Sequence, residues 1–220
     1  VEFEEKMQDE MDKVCFAYDR FRTIQLSQHE DMRAFKEAKT ELRSRLTTFT
    51  DLLNRQLFSH SGRADFDVWL VSHQPFHWIA EYYQIVHGNG GFDVIIGNPP
   101  YLEHRSGSFN YSLSHLVSSE CGNLYGNCIE RALSLTNNRA KFGFIIPVAI
   151  TCSKRMDKVI GMMKKKSSSI YFSNFDDRPG KLFEMIEHLR ACVFVLHRSE
   201  TDIQTSIYST KDNRWYTECR

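Results

Sequence analysis

No apolar run in this 220-residue chain approaches the ~20 residues that a bilayer core demands, so no membrane-spanning helix is expected. Residues 1–13 are acidic and hold no apolar h-region, so no secretory leader is expected either. The first residue is Val1 rather than Met, which points to a piece of a longer polypeptide. The six cysteines, Cys15, Cys121, Cys128, Cys152, Cys192 and Cys219, include no C-x-x-C pair. They sit mostly in apolar runs, as reduced buried thiols do, and no disulfide frame is expected. Net charge is absent, with 28 basic against 28 acidic residues. Residues 1–61 contain neither glycine nor proline, which excludes any glycine-rich loop from that stretch. There is no H-E-x-x-H pattern; His73 and His77 stand four apart, but Pro75 between them disfavours one continuous helix, and no metal site is expected at His73, His77, Glu81 or His87.

What is present is a globular composition. The 16 Phe, 9 Tyr and 3 Trp exclude a solvated, disordered chain. Charge is uneven along the length: residues 1–60 carry 10 basic and 12 acidic side chains, 61–120 carry 2 and 6, and 121–220 carry 16 and 10. The basic last stretch fits either solvated helix faces or a local surface for an anionic partner. In residues 1–61, apolar positions recur at helical spacing, first Phe3, Met7, Met11, Cys15 and Tyr18, then Met32, Phe35, Ala38, Leu42, Leu46, Phe49, Leu53 and Leu57. Polar residues from Ser27 to Glu30 interrupt the stripe, so two helices in a hairpin are expected over 1–61. From residue 62 to 220 the texture is that of a second, α/β domain. Strands are expected at Phe92–Gly97, Lys141–Ala149, Ile170–Phe175 and Ala191–His197, and helices near Asn123–Leu135 and Ser153–Lys166. Phe92–Gly97 is continuously apolar apart from Asp93, as in a parallel strand covered on both faces.

The segment that carries chemistry is Asn98-Pro99-Pro100-Tyr101, directly after that strand. In open parallel sheets, ligands bind beyond the carboxyl ends of strands. Two prolines fix φ and remove N–H donors, so the loop is stiff and rich in acceptors. An Asn side-chain carbonyl and a backbone carbonyl can take the two hydrogens of a planar amino group. This draws the nitrogen toward tetrahedral geometry and frees its lone pair, while an aromatic ring stacks on the group. No strong base is then needed before attack on an activated methyl, and positioning supplies most of the rate.

This motif resembles the catalytic motif of S-adenosylmethionine-dependent amino-methyltransferases, and more narrowly of the N6-adenine DNA methyltransferases of restriction–modification systems of the fused, type IIG-like kind. Four flanks carry the same likeness: Pro75-Phe76-His77-Trp78 with Glu81; Asn123-Leu124-Tyr125 with Ile129 to Leu133; Phe142 to Pro147; and Lys181-Leu182-Phe183. The resemblance covers about residues 65–200. It implies a Rossmann-like methyltransferase three-layer sandwich, of which this chain holds the later strands, with the helical hairpin before it. It also implies roles for the residues. Asn98 and Pro99 accept the adenine amino hydrogens, Pro100 shapes the turn beside the methyl donor, and Tyr101 and Phe183 contact a flipped base. Arg178, Lys181 and Arg190 flank that contact as candidates for DNA phosphates. Double-stranded DNA is the implied partner and a prokaryotic cytoplasm the implied setting.

One departure bears on the cofactor. The family places a glycine-rich turn after the first strand, upstream of the catalytic motif, and here the only G-x-G, Gly88-Asn89-Gly90, lies immediately before the catalytic strand. The main S-adenosylmethionine loop and the target-recognition part are therefore expected outside this chain, in the rest of a longer polypeptide. Two other functions stay open at this point. One is methylation of a glutamine amide or of a guanine amine in ribosomal RNA, where similar loops occur. The other is an inactive nucleic-acid-binding remnant.

Overall fold

A computed structural model describes residues 2–27, 31–104, 113–177, 182–183, 189–199 and 204–211. The chain divides into two compact units, Val1–Tyr83 and Gln84–Arg220, so the change of texture at residue 62 falls inside the first.

The first unit is helical. α1 (Glu2–Leu26) begins with Glu2, Glu4 and Glu5, whose charges suit the positive end of the helix dipole. α2 (Met32–Ser59) starts where the hydrophobic stripe resumes. The Asp31 side chain caps it by accepting from the Arg33 and Ala34 N–H groups, both at 3.0 Å. Two helices broken at the polar cluster are what the sequence implies. Their apolar stripes meet in a core of Val14, Phe49, Ala80 and Tyr83, flanked by Met7, Met11, Leu42, Leu46 and Leu53. Two further short helices belong to this unit, α3 (Phe66–His73), capped by Asp65, and the single turn α4 (Trp78–Glu81). Pro75 separates them, and Gln74 leaves α3 in the left-handed region at φ 42°.

The second unit is a five-stranded mixed sheet with helices. Its strands are β1 (Phe92–Gly97), β2 (Thr136–Pro147), β3 (Ser167–Phe175), β4 (Ala191–Arg198) and β5 (Ser206–Ser209), in the spatial order β1-β2-β4-β3-β5. β1 runs parallel to β2, and α5 (Leu124–Leu135) forms part of the crossover between them. β4 lies between β2 and β3 and is antiparallel to both, while β5 adds parallel to β3. After β2 come the short turn α6 (Ala149–Cys152) and then α7 (Asp157–Lys165), with Lys164 and Lys165 in its last turn, where cations favour the dipole.

One face of the sheet, with Ile95, Phe142, Phe144, Ile146, Ile170, Phe172, Cys192, Phe194 and Leu196, packs with Tyr125, Ile129, Leu133, Val159 and Met163 of α5 and α7 into the main core. Phe142, Phe144 and Phe194 meet edge to face, with ring centroids 4.6–6.1 Å apart. Each fully buried Phe stabilises the fold by about 1.5–3 kcal/mol. The opposite face corrects one expectation. Val94 is 58% and Ile96 is 82% exposed, so β1 is covered on one side only, because α5 and α7 lie against the same face.

The strand boundaries also shift. β2 begins five residues before the apolar run, because Thr136 pairs with Phe92 ahead of a register shift and Asn137 Nδ2 donates to Asp93 Oδ1 at 2.6 Å. β3 begins at Ser167 for a similar reason, since Ser167 and Ser169 pair with Arg198 and His197. Among the described residues, Cys121 and Cys192 are buried, Cys15 and Cys128 half-buried and Cys152 exposed, all as free thiols; Cys219 lies outside the described residues.

Candidate active-site corner

β1 is entered through a glycine turn and left through a proline corner. At the entry, Gly90 and Gly91 have φ of 70° and 127°, and the Gly91 N–H donates to Ile85 O at 2.9 Å. A Cβ on Gly91 would lie 2.5 Å from Leu135 O and 2.7 Å from Asn137 N, so only glycine lets the turn pass against the start of β2. The Gly88–Gly91 segment is thus committed to seating β1. This geometry does not fit a loop whose N–H groups cradle a cofactor.

At the exit, Gly97 pairs with Phe144 and the chain turns at once through Asn98-Pro99-Pro100-Tyr101. Pro99 is buried, whereas Asn98 and Pro100 are exposed. Among the described residues the Asn98 side chain has no hydrogen-bond partner, so its carbonyl oxygen is free to accept. Tyr101 is half-buried against the main core, and its hydroxyl donates to the backbone carbonyl of Ile145 at 3.0 Å. Burial raises its pKa from the usual phenol value, so the hydroxyl stays a donor at neutral pH.

Beyond the corner, the chain is stitched to the start of α5. Leu124 N–H donates to Leu102 O at 2.9 Å, His104 N–H donates to Gly122 O at 3.0 Å, and Glu103 forms an antiparallel bridge with Asn123. Asn123 also caps α5 by accepting from the Tyr125 N–H. Behind this stitch lies a polar chain. His104 Nε2 is 2.9 Å from Asn127 Oδ1, and Asn127 Nδ2 donates to Ser118 Oγ at 2.9 Å. The Ser118 and Val117 N–H groups donate to the two carboxylate oxygens of Glu130 at 2.8 and 3.1 Å. Partial burial pushes the Glu130 pKa up, but the hydrogen bonds from Ser118 and Val117 outweigh it, and the net value falls below the ordinary range.

The other sequence-derived site residues are placed as follows. Phe183 is half-buried and makes no ring contact with Tyr101 among the described residues. Arg190 is exposed and pairs through Nε with Asp176 Oδ1 at 3.1 Å. Arg178 and Lys181 lie outside the described residues. In the first unit, His77 Nε2 is 2.7 Å from Asn54 Oδ1, and His73 Nδ1 is 2.8 Å from Ser72 Oγ. Among the described residues, no three His, Cys, Asp or Glu side chains come together as metal ligands would, and no helix is long and apolar enough to cross a membrane. Sequence reasoning missed His104, Asn127 and Ser118. They are polar residues scattered over loop and helix, and no motif marks them.

Solved structures to which this chain is similar include the ATP-dependent Type ISP restriction-modification enzyme LlaBIII bound to DNA, at 16% identity and a TM-score of 0.42, matching 54% of this chain and 10% of that one. A nuclease-deletion mutant of the Type ISP enzyme LlaGI, in complex with a DNA substrate mimic, matches at 14% identity and a TM-score of 0.46, over 87% of this chain and 15% of that one. A putative class I S-adenosylmethionine-dependent methyltransferase from Listeria monocytogenes matches at 17% identity and a TM-score of 0.37, over 55% of this chain and 38% of that one. This chain therefore spans only a small part of the length of these proteins. No curated protein matches it. The profile of the Eco57I restriction-modification methylase family matches residues 19–180, well over half of the chain, across both the helical unit and the proline corner, and the chain belongs to that family.

Proposed function

We propose that this chain is the acceptor-binding, catalytic segment of an adenine-specific DNA methyltransferase, acting at N6 of a base flipped out of duplex DNA. The observation that carries the reading is the exposed, unpartnered Asn98 amide on a stiff, donor-poor corner at the carboxyl end of β1. Asn98 Oδ1 and the Pro99 carbonyl accept the two amino hydrogens, so nitrogen lone-pair density turns toward the methyl donor. The Tyr101 ring, fixed through its hydroxyl to Ile145 O, stacks on the purine. Phe183 gives a second apolar contact. Arg190, Arg178 and Lys181 serve the flanking phosphates, Arg190 with Asp176 holding its Nε and leaving its other N–H groups to donate. S-adenosylmethionine supplies the activated methyl group, and residues outside this chain hold it. The unpaired base costs a few kcal/mol to extrude, offset by stacking in the site.

The test is transfer of labelled methyl groups to duplex DNA by the polypeptide in which the chain occurs, followed by nucleoside analysis. N6-methyladenine is the expected product. Asn98→Ala removes an acceptor that strengthens only in the transition state, so the rate falls by about 10²–10³ with an unchanged melting temperature. Label on a glutamine amide or on guanine would replace the substrate assignment. Full activity in Asn98→Ala would refute the catalytic role of the corner. The tied-up glycine turn favours one other reading, an inactive DNA-binding remnant. DNA binding without any methyl transfer would establish it.

A further inference from the structure

Resting on that reading of the corner, we infer that His104 is a positioning residue for methyl transfer, holding Asn98 and Pro99 in place through the relay His104–Asn127–Ser118–Glu130, whose middle two residues are buried. The corner is clamped at both ends. On one side, β1 pairs with β2 up to Gly97. On the other side, the Tyr101 hydroxyl is fixed to Ile145 O, and the three-residue stitch Leu102–His104 ties the chain to α5, with the His104 side chain reaching Asn127. Two backbone hydrogen bonds at a loop fray readily, so a side chain that reaches a buried partner strengthens the stitch.

That partner is rigid. Asn127 lies on α5 and is 5% exposed, and its Nδ2 is committed to Ser118 Oγ. Its Oδ1 is therefore the acceptor, and His104 Nε2 carries the hydrogen. Ser118, fully buried, is held in turn by Glu130, whose two oxygens accept the Val117 and Ser118 N–H groups. His104 thus reads the position of α5 and transmits it along four residues to Pro100. His104 touches no substrate. It acts on where the Asn98 acceptor stands, and a misplacement of about 1 Å can cost about a hundredfold in rate.

The experiment compares His104→Ala, His104→Gln, Asn127→Ala and the double variant in the methyl-transfer assay, with Asn98→Ala alongside. His104→Ala is expected to lower kcat by roughly 10- to 100-fold with KM for DNA within about twofold, as loss of positioning without loss of binding requires. Gln places an N–H near the same point, so His104→Gln recovers most of the rate. The double variant is no worse than the poorer single one, because both remove one link. Nitrogen NMR of the 220-residue chain gives a readout independent of turnover. His104→Ala broadens the Asn98 side-chain amide signal and speeds exchange of the Leu124 N–H, and Gln restores both. Wild-type kcat or unchanged Asn98 and Leu124 signals in His104→Ala overturn the inference, as does a His104→Gln variant as poor as His104→Ala. If Asn98→Ala is fully active, the reading of the corner fails instead. If Asn98→Ala is dead while His104→Ala is normal, only the role of His104 fails.

Discussion

Tyr101→Phe separates the two roles of Tyr101, the ring proposed to stack on the base and the hydroxyl that fixes the corner to β2. The substitution removes one oxygen and leaves the ring and its packing in place. The lost interaction is a single 3.0 Å hydrogen bond to the Ile145 carbonyl. Such a bond contributes about 0.5–1.5 kcal/mol net, and a carbonyl left dry raises the cost to about 3 kcal/mol at most. Urea unfolding is therefore expected to show a loss of about 1 kcal/mol with an unchanged m-value. If the whole of that loss were felt in the transition state, the rate would fall about fivefold to tenfold, since 1.4 kcal/mol is a factor of ten. Tyr101→Ala removes the ring as well and is expected to lose at least a further hundredfold in methyl transfer. The assay is single-turnover methylation of a duplex, which isolates chemistry from product release. A Tyr101→Phe enzyme slowed a thousandfold or more would refute the reasoning, because one neutral hydrogen bond cannot supply over 4 kcal/mol. Equal losses in the Phe and Ala variants would show that the ring contributes nothing.

Two further predictions concern the frame of the site. Gly91→Ala forces a Cβ to within 2.5 Å of Leu135 O at a φ of 127°, and is expected to destabilise by about 2–5 kcal/mol in urea unfolding, whereas Gly161→Ala in α7, with nothing within 4 Å, is expected to stabilise by about 0.5–1 kcal/mol; equal effects would contradict the geometry. Burial pushes the Cys192 thiol up to about 12, so native protein at pH 8 is expected to take up an alkylating reagent at exposed Cys152 and not at Cys192 until denaturant is added, as peptide mass mapping would show.

The residues that seat the corner were legible because they are punctuated. A glycine pair before Phe92 and a proline pair after Asn98 bracket β1, and its observed ends match the apolar run. The hairpin break was legible for a similar reason, a polar interruption followed by a capping Asp31. Strand ends made of Thr136–Arg139 and Ser167–Ser169 were not, since their extended form comes from partners across the sheet rather than from local preference. β5 was missed for the same reason: its partner is β3, and no turn signal brackets Ser206–Ser209. The apolar run of β1 misled on burial, because composition reports how apolar both faces are and not which one is packed. In the site, Asn98 to Tyr101 stood out as four adjacent unusual residues, while His104 and Asn127 meet across 23 positions and had no local pattern to announce them.

The central place of β4 has a consequence for synthesis. β2 and β3 never touch as neighbours; each pairs with a strand that the ribosome delivers only after both are made. The parallel pair β1–β2 with α5 can assemble early, but the far half of the sheet must wait for residues 191–198 to slot between strands already exposed. Such late, non-local closure is slow, and until it happens β2 and β3 each present a bare backbone edge to other nascent chains. Truncations that stop short of Ala191 should accordingly accumulate as aggregates rather than as a smaller folded sheet.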